Sequence, residues 1–304
     1  MTTNNYLGNN SIKNIYSFDS NSEHSTKTGY NDAIKLAKSH YENFPVVSFL
    51  IPHNLKKDVA IIYWFARTAD DFSDEGNYST SERLEKLETF EVRLSALLNN
   101  QLDNNLEAAL RQTIITRKLN PENFFNLLKA FKQDVVKNRY KDFNEVLAYC
   151  SNSANPVGRI FLELFNIRDD RAFYYSDKIC TALQITNFIQ DTQIDYHKGR
   201  IYYPLDELAR FEVDEKVFEL SRINLNLKEL IEFSVNRVQD FFNEGKSLLD
   251  FLPGRIRLEI GWTIKGGEEI LNKIRGAEFD IFSKRVTLTK VDYLKLLVKS
   301  FIKH

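Results

Sequence analysis

Six prolines and eleven glycines are all the punctuation in a chain of 304 residues. Strands need turns every few residues, whereas helices run on without them, so this scarcity favours an all-α fold. Leu84, Leu87, Val92, Leu94, Leu97 and Leu98 recur at helical spacing behind a capping box formed by Ser79 and Glu82. Further helices are expected over Asp32 to Tyr41, Leu55 to Phe72, Pro121 to about Tyr140, Phe143 onward, Arg171 to Tyr196, Asn224 to Asp250, Arg255 to Arg275 and Lys290 to Ile302. Proline lacks a backbone donor and crowds the preceding turn, so a kink is expected at Asn155-Pro156. No composition shift marks a domain boundary. The expectation is one helical domain over residues 31–304, behind a disordered polar leader over residues 1–30.

A formal net charge of −1 leaves no basic excess to face phosphates, which argues against nucleic acid as a partner. Cys150 and Cys180 have no metal-ligand spacing and form no disulfide framework, as in a reducing cytoplasm. No apolar run reaches the ~20 residues needed to cross a bilayer. The C-terminal segment from Tyr293 is amphipathic, with Lys295, Lys299 and Lys303 four apart. It either packs on the core or rests against the inner face of a membrane as a peripheral contact.

Asp70 and Asp74 lie four residues apart, which on a helix brings both carboxylates to one face, with Asp71 and Glu75 in the same turn. Mg²⁺ is commonly held by one or two carboxylates together with substrate phosphates. A solvated acidic helix end explains this cluster equally well. The second cluster narrows the choice. Gln184, Asn187, Asp191 and Asp195 step by three, four and four residues along a helix that also carries Ile179, Leu183, Ile185, Phe188 and Ile189. A stripe of amides and carboxylates on so apolar a helix is costly to bury without partners. His197-Lys198-Gly199-Arg200 follows at once, and Arg67 precedes the first cluster by one turn. Carboxylates for a metal beside cations for phosphate oxygens make a coherent diphosphate site, clamped between two acidic helices.

At these residues the chain resembles the squalene/phytoene synthase family. The first motif reads Ala-Arg-Thr-Ala-Asp-Asp-Phe-Ser-Asp-Glu over residues 66–75; the second occupies residues 184–204, from Gln184 to Pro204. The segment from Tyr149-Cys150 to Gly158 and the run Leu252-Pro253-Gly254-Arg255 are similar to two further family blocks. The resemblance covers roughly residues 32–300. It implies an isoprenoid synthase fold, a helical bundle around a central active-site cavity. It also implies Mg²⁺ binding by Asp70, Asp74, Asp191 and Asp195, with Asp71 and Asn187 as further candidate ligands.

Three wordings resemble the bacterial hydroxysqualene synthase branch most: His40 to Pro45, Ser153 to Arg159, and Asn187-Phe188-Ile189-Gln190-Asp191. That resemblance implies conversion of presqualene diphosphate and water to hydroxysqualene and diphosphate, beside upstream and downstream enzymes of squalene synthesis. Branches that join two prenyl diphosphates resemble one another in a Ser-Lys-Ser-like segment where this chain has Tyr41-Glu42-Asn43, and in arginine where it has Gln190. Both differences lower the positive charge, which suits one diphosphate better than two.

On this reading Arg67, Lys198 and Arg200 contact the diphosphate, and Tyr203 is a further donor. Tyr63, Phe44, Tyr149 and Phe188 are candidate walls for a carbocation, although an aromatic at helical spacing is as readily plain core. Ser153 and Asn155 at the kink are candidates to hold the attacking water, and His40 to orient a tyrosine or a phosphate oxygen. No glycine-rich dinucleotide fingerprint supports a nicotinamide cofactor. Two rivals stand beside this reading: a condensing synthase that makes presqualene diphosphate, dehydrosqualene or phytoene, and a helical assembly or binding protein with solvated acidic stripes.

Overall fold

The computed structural model describes residues 20–39, 51–289 and 292, and among these it is helical with no strand. The helices are α1 Ser20–Ser39, α2 Lys56–Asp74, α3 Thr80–Leu98, α4 Asn105–Arg117, α5 Glu122–Val136, α6 Phe143–Ser153 and α7 Asn155–Leu164. They continue as α8 Asp170–Gln190, α9 Thr192–His197, α10 Leu205–Arg210, α11 Lys216–Leu220, α12 Leu225–Gly245 and α13 Gly254–Gly276. A 3₁₀ segment, Lys246–Phe251, joins the last two. The chain gathers into two compact units, residues 1–72 with 85–119 and residues 73–84 with 120–304. Two of the three boundaries fall inside α2 and α3, so no linker composition marks them. No helix among the described residues is long and apolar enough to cross a membrane.

In the first unit α1 lies so close to α4 that a Cβ on Gly29 would stand 1.9 Å from the Asn105 carbonyl oxygen. Buried Asp58 ties the helices together. It accepts from Thr113 at 2.9 Å and from Arg117 at 2.9 and 2.7 Å, while Thr113 also meets the Tyr30 hydroxyl at 2.8 Å. A buried carboxylate needs such partners, because an unpaired charge in the interior is strongly disfavoured. These contacts correct the expected leader. Helix α1 begins at Ser20, so residues 20–30 are helical, held by Thr26, Gly29, Tyr30 and Ala33 on one buried stripe. A polar composition hides a helix that needs only one residue in three or four to be apolar or small.

The second unit is built on α8, whose Ile179, Ala182, Ile185 and Ile189 are buried in a core shared with Leu227, Leu230, Val235 and Val238 of α12 and Ile264 and Leu271 of α13. The helix after Pro121 stops at Val136 rather than near Tyr140. Residues 138–141 are claimed instead by the segment after α9: Ile201 N–H donates to Asn138 O at 3.0 Å, Leu205 N–H to Tyr140 O at 2.8 Å and Asp206 N–H to Lys141 O at 3.2 Å. The expected break between α6 and α7 is present at Ala154. The helix expected over Arg171 to Tyr196 is divided at Asp191. There Thr192 turns its hydroxyl back to the carbonyls of Phe188 and Ile189, a contact that bends helices. Val92, counted with the apolar stripe of α3, is exposed, whereas Leu87, Leu94 and Leu97 are buried. His40, Glu42, Phe44 and the amphipathic C-terminal segment lie outside the described residues.

Candidate active site

In the first unit, Arg67 of α2 donates to Asp70 at 3.1 Å and pairs with Asp71 at 2.6 Å, so this arginine is engaged by the carboxylates one turn on. That pairing relieves the repulsion of the acidic cluster from within the helix. Tyr63 is half-buried on the same helix.

In the second unit, Asp74, the last residue of α2, meets the two cations that follow the second motif. Lys198 Nζ stands 2.8 Å from its Oδ2 and Arg200 Nη2 2.7 Å from its Oδ1. The end of one acidic motif is thus joined to the basic turn of the other across 124 and 126 residues of chain. Arg200 is also fixed by the Asp134 carbonyl at 3.0 Å. Burial works to raise the Asp74 pKa, but the hydrogen bonds and charges of Arg200 and Lys198 outweigh it and hold this carboxyl below its ordinary value.

Asp191 caps α8 and accepts two bonds from Arg285, at 2.5 and 3.0 Å. Asp195 lies one turn on. Burial first, and then the Asp191 charge, push its carboxyl up to about 7, against partial relief from Arg200 and Lys198. Asn187 is exposed and Gln184 half-buried on the same helix. Phe188, Thr192, Asp195, Arg200, Ile201, Tyr202 and Tyr203 line a small, partly open cleft. Its enclosed space is about that of one water molecule, far below the ~300–1,000 Å³ of a pocket for a whole large ligand.

One side of the cleft is aromatic. Tyr202 stacks on Phe188 with centroids 3.6 Å apart and planes within 4°, and Tyr149 and Tyr140 lie 6.0 and 5.6 Å from the Tyr202 ring. The Tyr149 hydroxyl donates to Asp134 at 2.9 Å, and burial raises its pKa well above the usual phenol value.

Three expectations change. The Tyr203 hydroxyl is taken up in a buried contact with Thr192 at 3.1 Å and its ring stacks on Phe218, so it supports the motif from the core. Its neighbour Tyr202 holds the place on the aromatic side. Asn155 accepts from Thr181 at 3.0 Å and the Ser153 hydroxyl donates to Tyr149 O, so both polar groups at the kink have structural partners. Gln190 donates to Val286 O at 2.6 Å. It anchors the segment that brings Arg285 to Asp191. Neither spacing nor composition points to Arg285.

A bound Mg²⁺ fits the donor chemistry in one respect and not in another. Asp191 and Asp195 are hard oxygen donors whose mutual repulsion a divalent cation would relieve. Among the described residues, however, no three His, Cys, Asp or Glu side chains form a ready-made metal cluster. Oxygen donors from a phosphate ligand would complete such a site, the usual mode for Mg²⁺.

Residues 37–292 match the squalene/phytoene synthase family model. The chain belongs to the squalene/phytoene synthase family. Within it, the chain is 40% identical over 272 residues to a hydroxysqualene synthase of Zymomonas mobilis, covering 87% of this chain and 89% of that one. It is 30% identical over 264 residues to a hydroxysqualene synthase of Rhodopseudomonas palustris, covering 86% and 88%. Among solved structures, the squalene synthase HpnC of Alicyclobacillus acidocaldarius superposes with a TM-score of 0.79 at 33% identity, over 84% of this chain and 95% of that one. A dehydrosqualene synthase superposes at 0.80 with 20% identity, over 93% and 99%, a likeness of fold. Membership makes this chain an isoprenoid synthase whose substrates are prenyl diphosphates.

Proposed function

We propose that this squalene/phytoene synthase family member converts presqualene diphosphate and water to hydroxysqualene and diphosphate. The observation that carries the reading is the junction of Asp74 with Lys198 and Arg200, which gathers cations beside the Asp191–Asp195 pair at one end of an aromatic-sided cleft. The 40% identity to a hydroxysqualene synthase supports the choice of reaction.

Lys198, Arg200 and Arg285 bind the diphosphate oxygens, with Asp74 orienting the first two. The C–O bond breaks with its electron pair leaving on the diphosphate, and cationic donors stabilise that developing charge. Asp191 and Asp195, with Asn187 beside them, would hold Mg²⁺, which would supply further positive charge to the leaving group. Phe188, Tyr202 and Tyr149 favour the carbocation by ~0.5–2 kcal/mol per well-placed face. Water adds to the rearranged cation and releases one proton. An apolar C30 substrate accords with a cytoplasmic enzyme resting on a membrane, and liposome flotation tests that contact.

The deciding experiment gives the protein Mg²⁺ with presqualene diphosphate or with farnesyl diphosphate and identifies the C30 product by mass spectrometry. Hydroxysqualene from the first substrate alone is the expected result. Efficient self-condensation of farnesyl diphosphate would sink the reading.

A further inference from the structure

We propose that Arg139, oriented by Glu215, is a positioning residue that holds the Lys198-Gly199-Arg200 turn and thereby aims both cations at the diphosphate. The inference rests on the diphosphate site argued above.

Packing does not fix the turn at Gly199. Gly199 has φ +79, and a Cβ placed there would meet nothing within 4 Å. Glycine serves the left-handed backbone at this position rather than a close approach. Hydrogen bonds set the shape instead. Lys198 and Arg200 N–H donate to Asp195 O at 3.0 and 2.8 Å, and Gly199 N–H donates to Tyr196 O at 2.8 Å. All three run back into α9, so on their own they leave the outer side of the turn unanchored.

Beside the side-chain contacts of Lys198 and Arg200 with Asp74 and the Asp134 carbonyl, Arg139 supplies an external anchor on the backbone. Its Nη1 donates to Gly199 O at 2.7 Å and to Asn138 O at 2.8 Å, and that second carbonyl also accepts from Ile201 N–H at 3.0 Å. One guanidinium nitrogen is thus tied to the middle of the turn and to the carbonyl that fixes the residue after it. Glu215 grips the opposite edge of the guanidinium, at 2.9 Å to Nε and 2.8 Å to Nη2. A two-pronged carboxylate contact fixes the plane of an arginine as well as its place.

Glu215 and Arg139 both keep substantial exposure, so their pair contributes little to folding. It lies outside the residues that line the cleft. What it determines is where Gly199 O sits, and so how the flanking side chains reach Asp74. At metal sites, groups that orient the ligating residues without touching the ion commonly change affinity by about 10–100-fold when removed, and Arg139 stands in the same relation to Lys198 and Arg200.

The test measures binding of inorganic diphosphate with Mg²⁺ by calorimetry, together with kcat and KM for presqualene diphosphate. It compares wild type, Arg139→Ala, Arg139→Lys, Glu215→Gln, the double variant Lys198→Ala/Arg200→Gln, and that double variant with Arg139→Ala added. Arg139→Ala is expected to weaken diphosphate binding roughly tenfold and to raise KM, with the melting temperature nearly unchanged. Arg139→Lys should recover part of this loss. Glu215→Gln should cost about threefold. In the double-variant background Arg139→Ala should change affinity no further, because the cations it positions are gone. An equal loss in both backgrounds overturns the proposal, as does unchanged binding in Arg139→Ala. Should that variant not fold, Glu215→Gln decides, and unchanged diphosphate affinity there overturns it. A wild type that binds no diphosphate removes the site reading and this inference with it. A wild type that binds diphosphate no better than Arg139→Ala removes the positioning role alone.

Discussion

Asp74 and Asp195 close the two acidic motifs within one compact unit, and their surroundings pull them in opposite directions. Asp74 faces two cations and is held ionised. Asp195 is buried beside Asp191, and its pKa rises to about 7. The like charge at Asp191 is itself met by Arg285, which keeps about half its side-chain surface in solvent. Two residues of one type thus carry two roles. Asp74 orders cations that already belong to the protein, whereas Asp195 marks the place where further positive charge has most to gain.

The sharpest way to break this comparison is to remove each charge in turn. Asp74→Asn should lower kcat/KM on the order of 10²-fold, as expected when ordered cations lose their organiser. It should also destabilise the fold by about 1–3 kcal/mol, since Arg200 is left largely buried without its ionic partner. Asp195→Asn should cost activity on a similar scale, yet leave the melting temperature unchanged or higher above pH 7. A clear fall in stability there would mean that Asp195 already has a structural partner.

The next effect lies in pH dependence. With a folded pKa of about 7 against an ordinary 3.8, Asp195 binds its proton more tightly in the folded state than in the unfolded one. Its contribution to stability is therefore fully present below about pH 4, is lost as pH rises from there through about 7, and is flat beyond. Glu259, buried on α13 and likewise raised to about 7 by burial, gives the same sign between about 4.5 and 7 without an acidic neighbour. Melting curves across pH 4–8 should flatten for Asp195→Asn and, separately, for Glu259→Gln. Added Mg²⁺ should flatten the Asp195 component alone. The smallest effect belongs to Arg67→Gln, whose pairs lie within one partly exposed helix turn: about 0.2–0.5 kcal/mol in thermal melts.

What could be read in the sequence follows the range of the interaction. The all-α class, the capping box at Ser79, the break at Asn155-Pro156 and the polar stripe on α8 all depend on neighbours within a few residues. Lys198 and Arg200 stand out in the sequence as candidate phosphate cations because they follow the second motif directly. Arg285 does not, since it lies 94 residues from Asp191 in a segment with no pattern of its own. Arg139 was hidden for the same reason, and so was the early stop of α5, which a partner segment beyond residue 200 imposes. That the Tyr203 hydroxyl meets Thr192 while Tyr202 stacks on Phe188 is a matter of register, which composition does not fix.

Those adjacent tyrosines give the segment a particular intolerance. Tyr202 takes Phe188 and Tyr203 takes Thr192 and Phe218, while Ile201 and Leu205 hold the backbone to Asn138 and Tyr140. Deleting a single residue between Arg200 and Pro204 would deal every later side chain to the wrong partner: a proline would arrive where a hydroxyl is needed. Evolution can therefore exchange side chains along this stretch far more readily than it can change its length, and a loop of identical size elsewhere on the surface carries no such arithmetic.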